Sequence, residues 1–121
     1  MATIIPTTDR DTASGGVLVT WSPMATGDSG AGFSLHAIAD ITIQVTGTFG
    51  GSTVTLQGSN DGTNWHPLTQ RGSTTDMAFT SAANHICQEM PAFIRPNITG
   101  GTGSAFKVVA AIYYRFGKSP L

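Results

Sequence analysis

The residues of this chain that could take part in chemistry are few and widely spaced. The histidines are His36, His66 and His85, and none has a second ligand at the short spacings that zinc sites use. The closest pair of carboxylates is Asp9 and Asp11, near the N-terminus, which gives no support for the two-carboxylate chemistry of glycosidases. The sequence therefore predicts a protein that is not an enzyme and that carries no metal or other cofactor.

Two other features are better explained by structure than by reactivity. Cys87 is the single cysteine and lies in an apolar stretch, so we expect it to pack in the core. A chain that cannot form an internal disulfide is typical of a reducing cytosol. Residues 60–64 are rich in oxygen ligands but lack the carboxylate that closes an EF-hand loop, so a turn is expected there.

The composition excludes several classes of partner. Only 11% of the residues are charged and the net charge is −1, so binding to nucleic acid through phosphate contacts is not expected. No secretory signal and no apolar stretch long enough to cross a bilayer is present, so no membrane partner is expected. The 18 threonines and 10 serines, with 40% hydrophobic residues, favour pleated surfaces and turns over disorder.

Hydrophobic residues alternate with polar ones at period two along most of the chain, which predicts half-buried strands. Glycines at 47, 50 and 51 allow one reversal of direction, and residues 60–62 allow the next. The predicted core consists of Ile41, Ile43, Val45, Val54, Leu56, Val108 and Ile112.

The number and spacing of these segments predict an all-β protein. We expect an antiparallel β-sandwich, jelly-roll-like, with about eight strands in a single domain over residues 17–121. Residues 1–16 contain little apolar area and are expected to form an irregular N-terminal arm. Ile4 and Ile5 are the exceptions in this arm, and they are expected to anchor it on a neighbouring subunit.

The last predicted strand has a second apolar face. Its inward side is continuous, yet Lys107, Val109, Tyr113 and Arg115 all point to the opposite side. A strand that is buried on one side only does not need Val and Tyr on the other. Tyr and Arg are enriched in protein interfaces, so we predict that this face contacts a partner.

Two segments carry a resemblance to a known group of proteins. These are the hairpin over residues 58–65 and the later stretch over residues 93–103, which is rich in glycine towards its end. Together they resemble small β-sandwich proteins of tailed bacteriophages, in particular jelly-roll decoration or cement proteins, over residues 38–116. The resemblance implies a protein of the virion, assembled in the host cytoplasm, that binds the major capsid protein on the outside of the head. It also implies self-association as a homodimer or homotrimer, and it brings no catalytic residues.

A carbohydrate-binding module of a virion or tail fibre is the alternative function, since similar hairpins occur in sugar-binding sandwiches. Its site would consist of Trp65 with Asn60, Asp61 and Asn64. The ring of Trp65 can serve as a stacking platform for a sugar or as a plug of the core. The core position is favoured from the sequence, because Trp65 follows a tight turn beside the apolar faces of Val54 and Leu56. A decoration protein that also binds surface glycans weakly would combine both functions.

Overall fold

The computed structural model describes residues 2–11, 16–35 and 37–114, which form twelve strands and no helix. Accordingly, the described residues provide no helix that could cross a membrane. The strands are β1 (Thr3–Ile4), β2 (Thr7–Asp11), β3 (Gly16–Met24), β4 (Ser29–Gly30), β5 (Phe33–Ser34), β6 (Ala39–Thr48), β7 (Thr53–Ser59), β8 (His66–Pro67), β9 (Ala78–Phe79), β10 (Ala83–Ile86), β11 (Phe93–Thr99) and β12 (Ser104–Tyr114).

Two sheets make up the molecule. One has five strands in the order β10-β6-β12-β3-β2. The other has seven strands, in the order β1-β4-β11-β7-β8, with β5 beside β11 and β9 beside β7. The pair β1–β4 is parallel, and the other pairings between these strands are antiparallel. The predicted antiparallel β-sandwich is therefore confirmed.

The strand pairings are nested along the chain. Strand β3 pairs with β12, β4 and β5 pair with β11, β6 pairs with β10, and β7 pairs with β8 and β9. Nested pairing of this kind arises when one long antiparallel hairpin is rolled up on itself, and the resulting fold is the jelly roll. The roll has eight strand positions, as predicted. Two of these positions are each divided into two short strands, β4 with β5 and β8 with β9, and β1 and β2 are additional to the roll.

The core lies between the sheets and consists of the residues that the period-two pattern selected. All seven predicted core residues are 2% exposed or less, so each strand face was assigned correctly. Trp21 is also fully buried, and its indole Nε1 donates to the carbonyl of Ala31 at 3.0 Å. Gly30 lies so close that a Cβ there would be 2.6 Å from the indole, which explains why this position has no side chain.

The N-terminal residues are not the irregular arm that the sequence predicted. Strand β1 pairs with β4 in the seven-stranded sheet, and β2 pairs with β3 along the edge of the five-stranded sheet. The side chain of Ile4 packs against the core of its own chain, whereas Ile5 is 79% exposed. The reason is non-local, because β3 would otherwise leave a row of backbone groups without ladder hydrogen bonds.

One end of the sandwich is closed by a buried serine. The hydroxyl of Ser52 donates to the carbonyl of Gly100 at 2.7 Å and accepts from the amide of Gly103 at 2.9 Å. Gly101 has a positive φ of 57°, and a Cβ there would lie 2.4 Å from the carbonyl oxygen of Gly50. The loops that follow β6 and β11 can therefore meet only because glycine occupies this position.

Replacement of Ile43 by Ala tests the assignment of the core. Because Ile43 is fully buried, the substitution is expected to lower the free energy of unfolding by about 2–5 kcal/mol. Its neighbour Gln44 is exposed, so Gln44→Ala is expected to change the same quantity by less than about 0.5 kcal/mol. Urea denaturation of both variants measures the difference, and equal losses would contradict the face assignment.

Deletion of residues 1–11 tests the corrected view of the N-terminus. The deletion removes β1, β2 and the contact of Ile4 with the core, so the urea midpoint is expected to fall. The substitution Ile5→Ser in the full-length chain is the matched control and is expected to leave the midpoint unchanged. If the chain without residues 1–11 is as stable as the full-length chain, the N-terminal residues are an arm that does not contribute to the stability of the fold.

Candidate functional site

The outer face of the five-stranded sheet carries a row in which three apolar residues, Leu18, Ala111 and Ile86, are joined by Thr42 and end beside Asp9. The register aligns Ala111 of β12 with Leu18 of β3 on one side and with Thr42 of β6 on the other, and Thr42 pairs in turn with Ile86 of β10. Leu18, Ile86 and Tyr113 are 39%, 45% and 46% exposed. The described part of the chain therefore leaves this face open to solvent.

Polar residues surround the apolar row. Val109 pairs with Thr20 of β3 on one side and with Gln44 of β6 on the other. On the edge strands this row ends at Thr7 of β2 and Asn84 of β10. Charged residues also belong to this rim, since Asp9 lies opposite Leu18, Asp40 lies opposite Tyr113, and Lys107 lies on the outer side of β12. An apolar centre with a polar rim is the arrangement found in protein interfaces. We call this surface, made by Leu18, Ile86, Val109, Ala111 and Tyr113 with its polar rim, the β12 face.

The structure joins three of the predicted interface residues and places Ile4 and Ile5 elsewhere. Lys107, Val109 and Tyr113 alternate with buried residues along β12, and they lie on its outer side. Ile4 and Ile5 belong to β1 and its continuation beside the seven-stranded sheet, so they are not part of the β12 face. Arg115 lies outside the described residues. Leu18 and Ile86 were not identified from the sequence, although Ile86 lies in a segment of apolar residues.

The polar residues of the alternative glycan site take part in hydrogen bonds within the chain. Oδ1 of Asp61 accepts from the amides of Asn64 and Thr63, both at 2.8 Å, and from the hydroxyl of Ser59 at 2.9 Å. The side-chain amide of Asn64 donates to Oδ2 of Asp61, and Oδ1 of Asn60 accepts from the amide of Ala92. The backbone N–H of Asn64, then that of Thr63 and the side chains of Asn64 and Ser59, hold the pKa of Asp61 far below its ordinary value.

Trp65 is not a plug of the core, contrary to the position that the sequence favoured. The ring is half-buried on the outer side of the seven-stranded sheet, where the Cζ of Arg95 lies 4.3 Å from its centroid. A Cβ at Gly32 would lie 2.9 Å from the ring, so Gly32 makes room for it. Trp65 precedes the paired residues of β8, and its contacts are made with Gly32 and Arg95, which are distant in sequence.

A cleft of about 630 Å³ opens beside this hairpin. It is lined by Asn60, Asp61 and Asn64 together with His66, Glu89 and Met90, among others, but Trp65 is not part of its wall. The structure thus brings the three polar residues of the glycan hypothesis into one cleft and leaves the aromatic residue outside it. The hydroxyl and the amide of Thr69 donate to the carboxylate of Glu89, which lowers the pKa of Glu89 although desolvation acts against it.

The described residues with possible chemistry are dispersed in the fold, and His36 lies outside the described residues. Among the described residues, no group of three or more His, Cys, Asp or Glu side chains is placed to hold a metal ion. His85 lies beside the ring of Phe79 with 5.3 Å between the centroids. Cys87 is buried as predicted, and desolvation raises the pKa of its thiol to about 11, so at neutral pH it is protonated and unreactive.

No protein-family model and no curated protein matches the chain. Among solved structures it is similar to the SPBc2 prophage-derived protein YomS, with a TM-score of 0.60 and 8% identity over 80% of this chain and 94% of that one. It also matches Peruvianin-I, a cysteine peptidase from the latex of Thevetia peruviana, with a TM-score of 0.47 and 14% identity over 83% of this chain and 51% of that one. The likeness to YomS is one of fold, and the weaker second match carries no argument.

The hydrogen bonds to Asp61 predict a specific dependence of stability on pH. A carboxylate with a lowered pKa in the folded state stabilises the fold above its unfolded pKa of about 3.8, and this contribution is lost as the pH falls below that value. Asp61→Asn is therefore expected to lower the urea midpoint at pH 7 and to lower it less at pH 3.

Asp76→Asn is the matched control, since Asp76 is an exposed carboxylate on a different loop. Its effect on the urea midpoint is expected to be small at both pH values. A loss for Asp61→Asn that is the same at pH 7 and pH 3 would show that the negative charge of Asp61 does not stabilise the hairpin.

Proposed function

We propose that this chain is a non-enzymatic structural protein of a phage particle that binds the outer surface of the capsid and stabilises it. The observation that carries the proposal is the β12 face, an open sheet surface on which Leu18, Ile86 and Tyr113 are exposed. Exposed apolar patches of this kind mark sites of protein–protein contact. Tyr113 is the side chain in this face that is most typical of an interface anchor.

The fold and the composition support this proposal. The fold is shared with a prophage-derived protein, and jelly rolls are common in viral capsid domains. Only 11% of the residues of the chain are charged, and the exposed side chains of Leu18, Ile86 and Tyr113 give the β12 face apolar area, so contact through it is expected to depend more on apolar area than on charge and to tolerate salt. The partner in the proposal is the major capsid protein, and the site of action is the surface of the virion.

Self-association completes the proposed mechanism. A homodimer or homotrimer presents two or three copies of the β12 face to a lattice that repeats the same binding site. Once one copy is bound, the others bind at a high effective concentration, so modest affinity of each face is sufficient for stable attachment. A multivalent clamp of this kind holds neighbouring capsid subunits together against internal pressure.

Glycan binding is the second candidate function, and one observation favours it. Asn60, Asp61 and Asn64 line the same open cleft, and their positions are fixed by hydrogen bonds. Retention of the protein on a glycan array, lost in Asn64→Ala, would support a sugar site in this cleft. Loss of retention in Trp65→Ala alone would instead support the stacking platform predicted from the sequence.

Tyr113→Ala tests the use of the β12 face. Because an aromatic anchor at the centre of an interface contributes about 2 kcal/mol or more, binding to capsids of the encoding phage is expected to weaken about 30-fold. Co-sedimentation with purified capsids measures the affinity. Thr80→Ala, an exposed substitution outside both sheets, is the control and is expected to bind normally. Normal binding by Tyr113→Ala would exclude the β12 face as the contact surface.

The stabilising role is tested separately from binding. Capsids that carry the protein are expected to release their genome at a higher temperature than bare capsids, because the bound copies hold neighbouring subunits together. Release at the same temperature from both kinds of particle would contradict a cement function, even if binding itself is observed.

A further inference from the structure

The outer face of the seven-stranded sheet presents one cation in a fixed position. Arg95 alternates with buried Ile94 and Pro96 along β11, so its side chain points outward. Its Nε donates to Oε1 of Gln57, the residue opposite on β7, at 2.9 Å. Its Cζ lies 4.3 Å from the centroid of the Trp65 ring, within the range of a cation–π contact. Two contacts from different segments therefore hold the guanidinium before any partner arrives.

No described carboxylate pairs with Arg95. The ion pair formed within the described residues joins Arg71 to Asp40, at the end of β6 in the other sheet. Arg95 is half-buried, and desolvation lowers its pKa. The contacts with Gln57 and Trp65 engage Nε and one face of the guanidinium, so its remaining N–H donors are free to bind an anion.

The residues aligned with Arg95 across this face offer a further donor. Asn97 lies two residues further along β11 on the same side, opposite Thr55 of β7 and Ser29 of β4. The hydroxyl of Ser29 donates to Oδ1 of Asn97 at 2.6 Å, which leaves the NH₂ group of Asn97 as a donor. The residues aligned with Arg95 and Asn97 across this face are neutral, so a bound anion meets no negative charge in these rows.

We infer that Arg95, fixed by Trp65 and Gln57, recognises a carboxylate of an acidic side chain on a protein partner that docks on the outer face of the seven-stranded sheet. The planar guanidinium can bind a carboxylate through two parallel hydrogen bonds. A protein is favoured over an acidic sugar because the guanidinium already covers a face of the Trp65 ring. The cleft beside the hairpin is also lined by other residues, so Arg95 lies outside it.

This inference concerns the sheet opposite the β12 face and does not depend on capsid binding. Arg is among the residues that contribute most to interfaces, and a fixed Arg loses less side-chain entropy on binding than a mobile one. The chain then has two recognition surfaces on opposite sides of the sandwich, one apolar and one that selects for negative charge.

The test uses the full chain labelled with ¹⁵N and a blocked peptide with a central Glu as the probe. Saturable shifts are expected at the Arg95 Nε–H and Trp65 indole N–H resonances. The matched peptide with Gln in place of Glu and free glucuronate are the comparison probes, and both are expected to bind roughly tenfold more weakly or not at all. Trp21 is buried in the core, so its indole resonance serves as the internal reference.

Variants of the protein separate a specific site from general attraction. Arg95→Gln is expected to abolish the shifts, and Arg95→Lys is expected to weaken binding roughly tenfold although it keeps the charge, because Lys lacks the planar pair of donors. Arg10→Gln removes a cation from the edge of the other sheet and is expected to bind normally. Equal binding of the Glu and Gln peptides, stronger binding of glucuronate, an equal loss in Arg10→Gln, or no saturable shift would each overturn the inference.

Discussion

The register of β12 between β3 and β6 is the constraint on which the rest of the molecule depends. With this register Val108, Ala110 and Ile112 enter the core, and Val109 and Tyr113 remain outside. A shift of β12 by one residue would exchange its two sets of side chains and turn Lys107 and Tyr113 towards the core. The same backbone ladder therefore determines both the core of the sandwich and the surface that we assign to binding.

The sequence predicted the strands that have a period-two hydrophobic pattern of their own. It missed the strands that form only because a segment distant in sequence offers them an edge. Alternation at period two identified the buried faces of β6, β7 and β12, because such strands pack one side against a core. Strand β2 contains only Thr, Asp and Arg, so it has no apolar face. It is a strand because β3 offers it an unpaired edge, and a short segment of sequence does not contain that information.

The same division holds for the functional surfaces. Tyr113 was identified because the outer side of β12 carries apolar residues that the core of the sandwich does not require. Leu18 and Ile86 complete that surface only through the alignment of neighbouring strands, which requires the register. Trp65 was placed in the core on the basis of its neighbours in sequence, whereas its contacts are with Gly32 and Arg95. Contacts between residues so far apart in sequence depend on which strands pair in the roll. The sequence predicted a jelly-roll-like sandwich but not its individual strand pairings.

The central position of β12 has a consequence for biosynthesis. The ribosome makes this strand after the other eleven, yet it is the one that joins β6 to β3. Until it emerges, both of these strands expose an edge with unsatisfied backbone groups, and such edges promote aggregation. A chain whose translation stops before residue 104 therefore cannot assemble a partial sandwich with a graded loss of function. The fold therefore requires translation through β12, and a chain that stops before it leaves the edges of β3 and β6 open to other chains and to proteases.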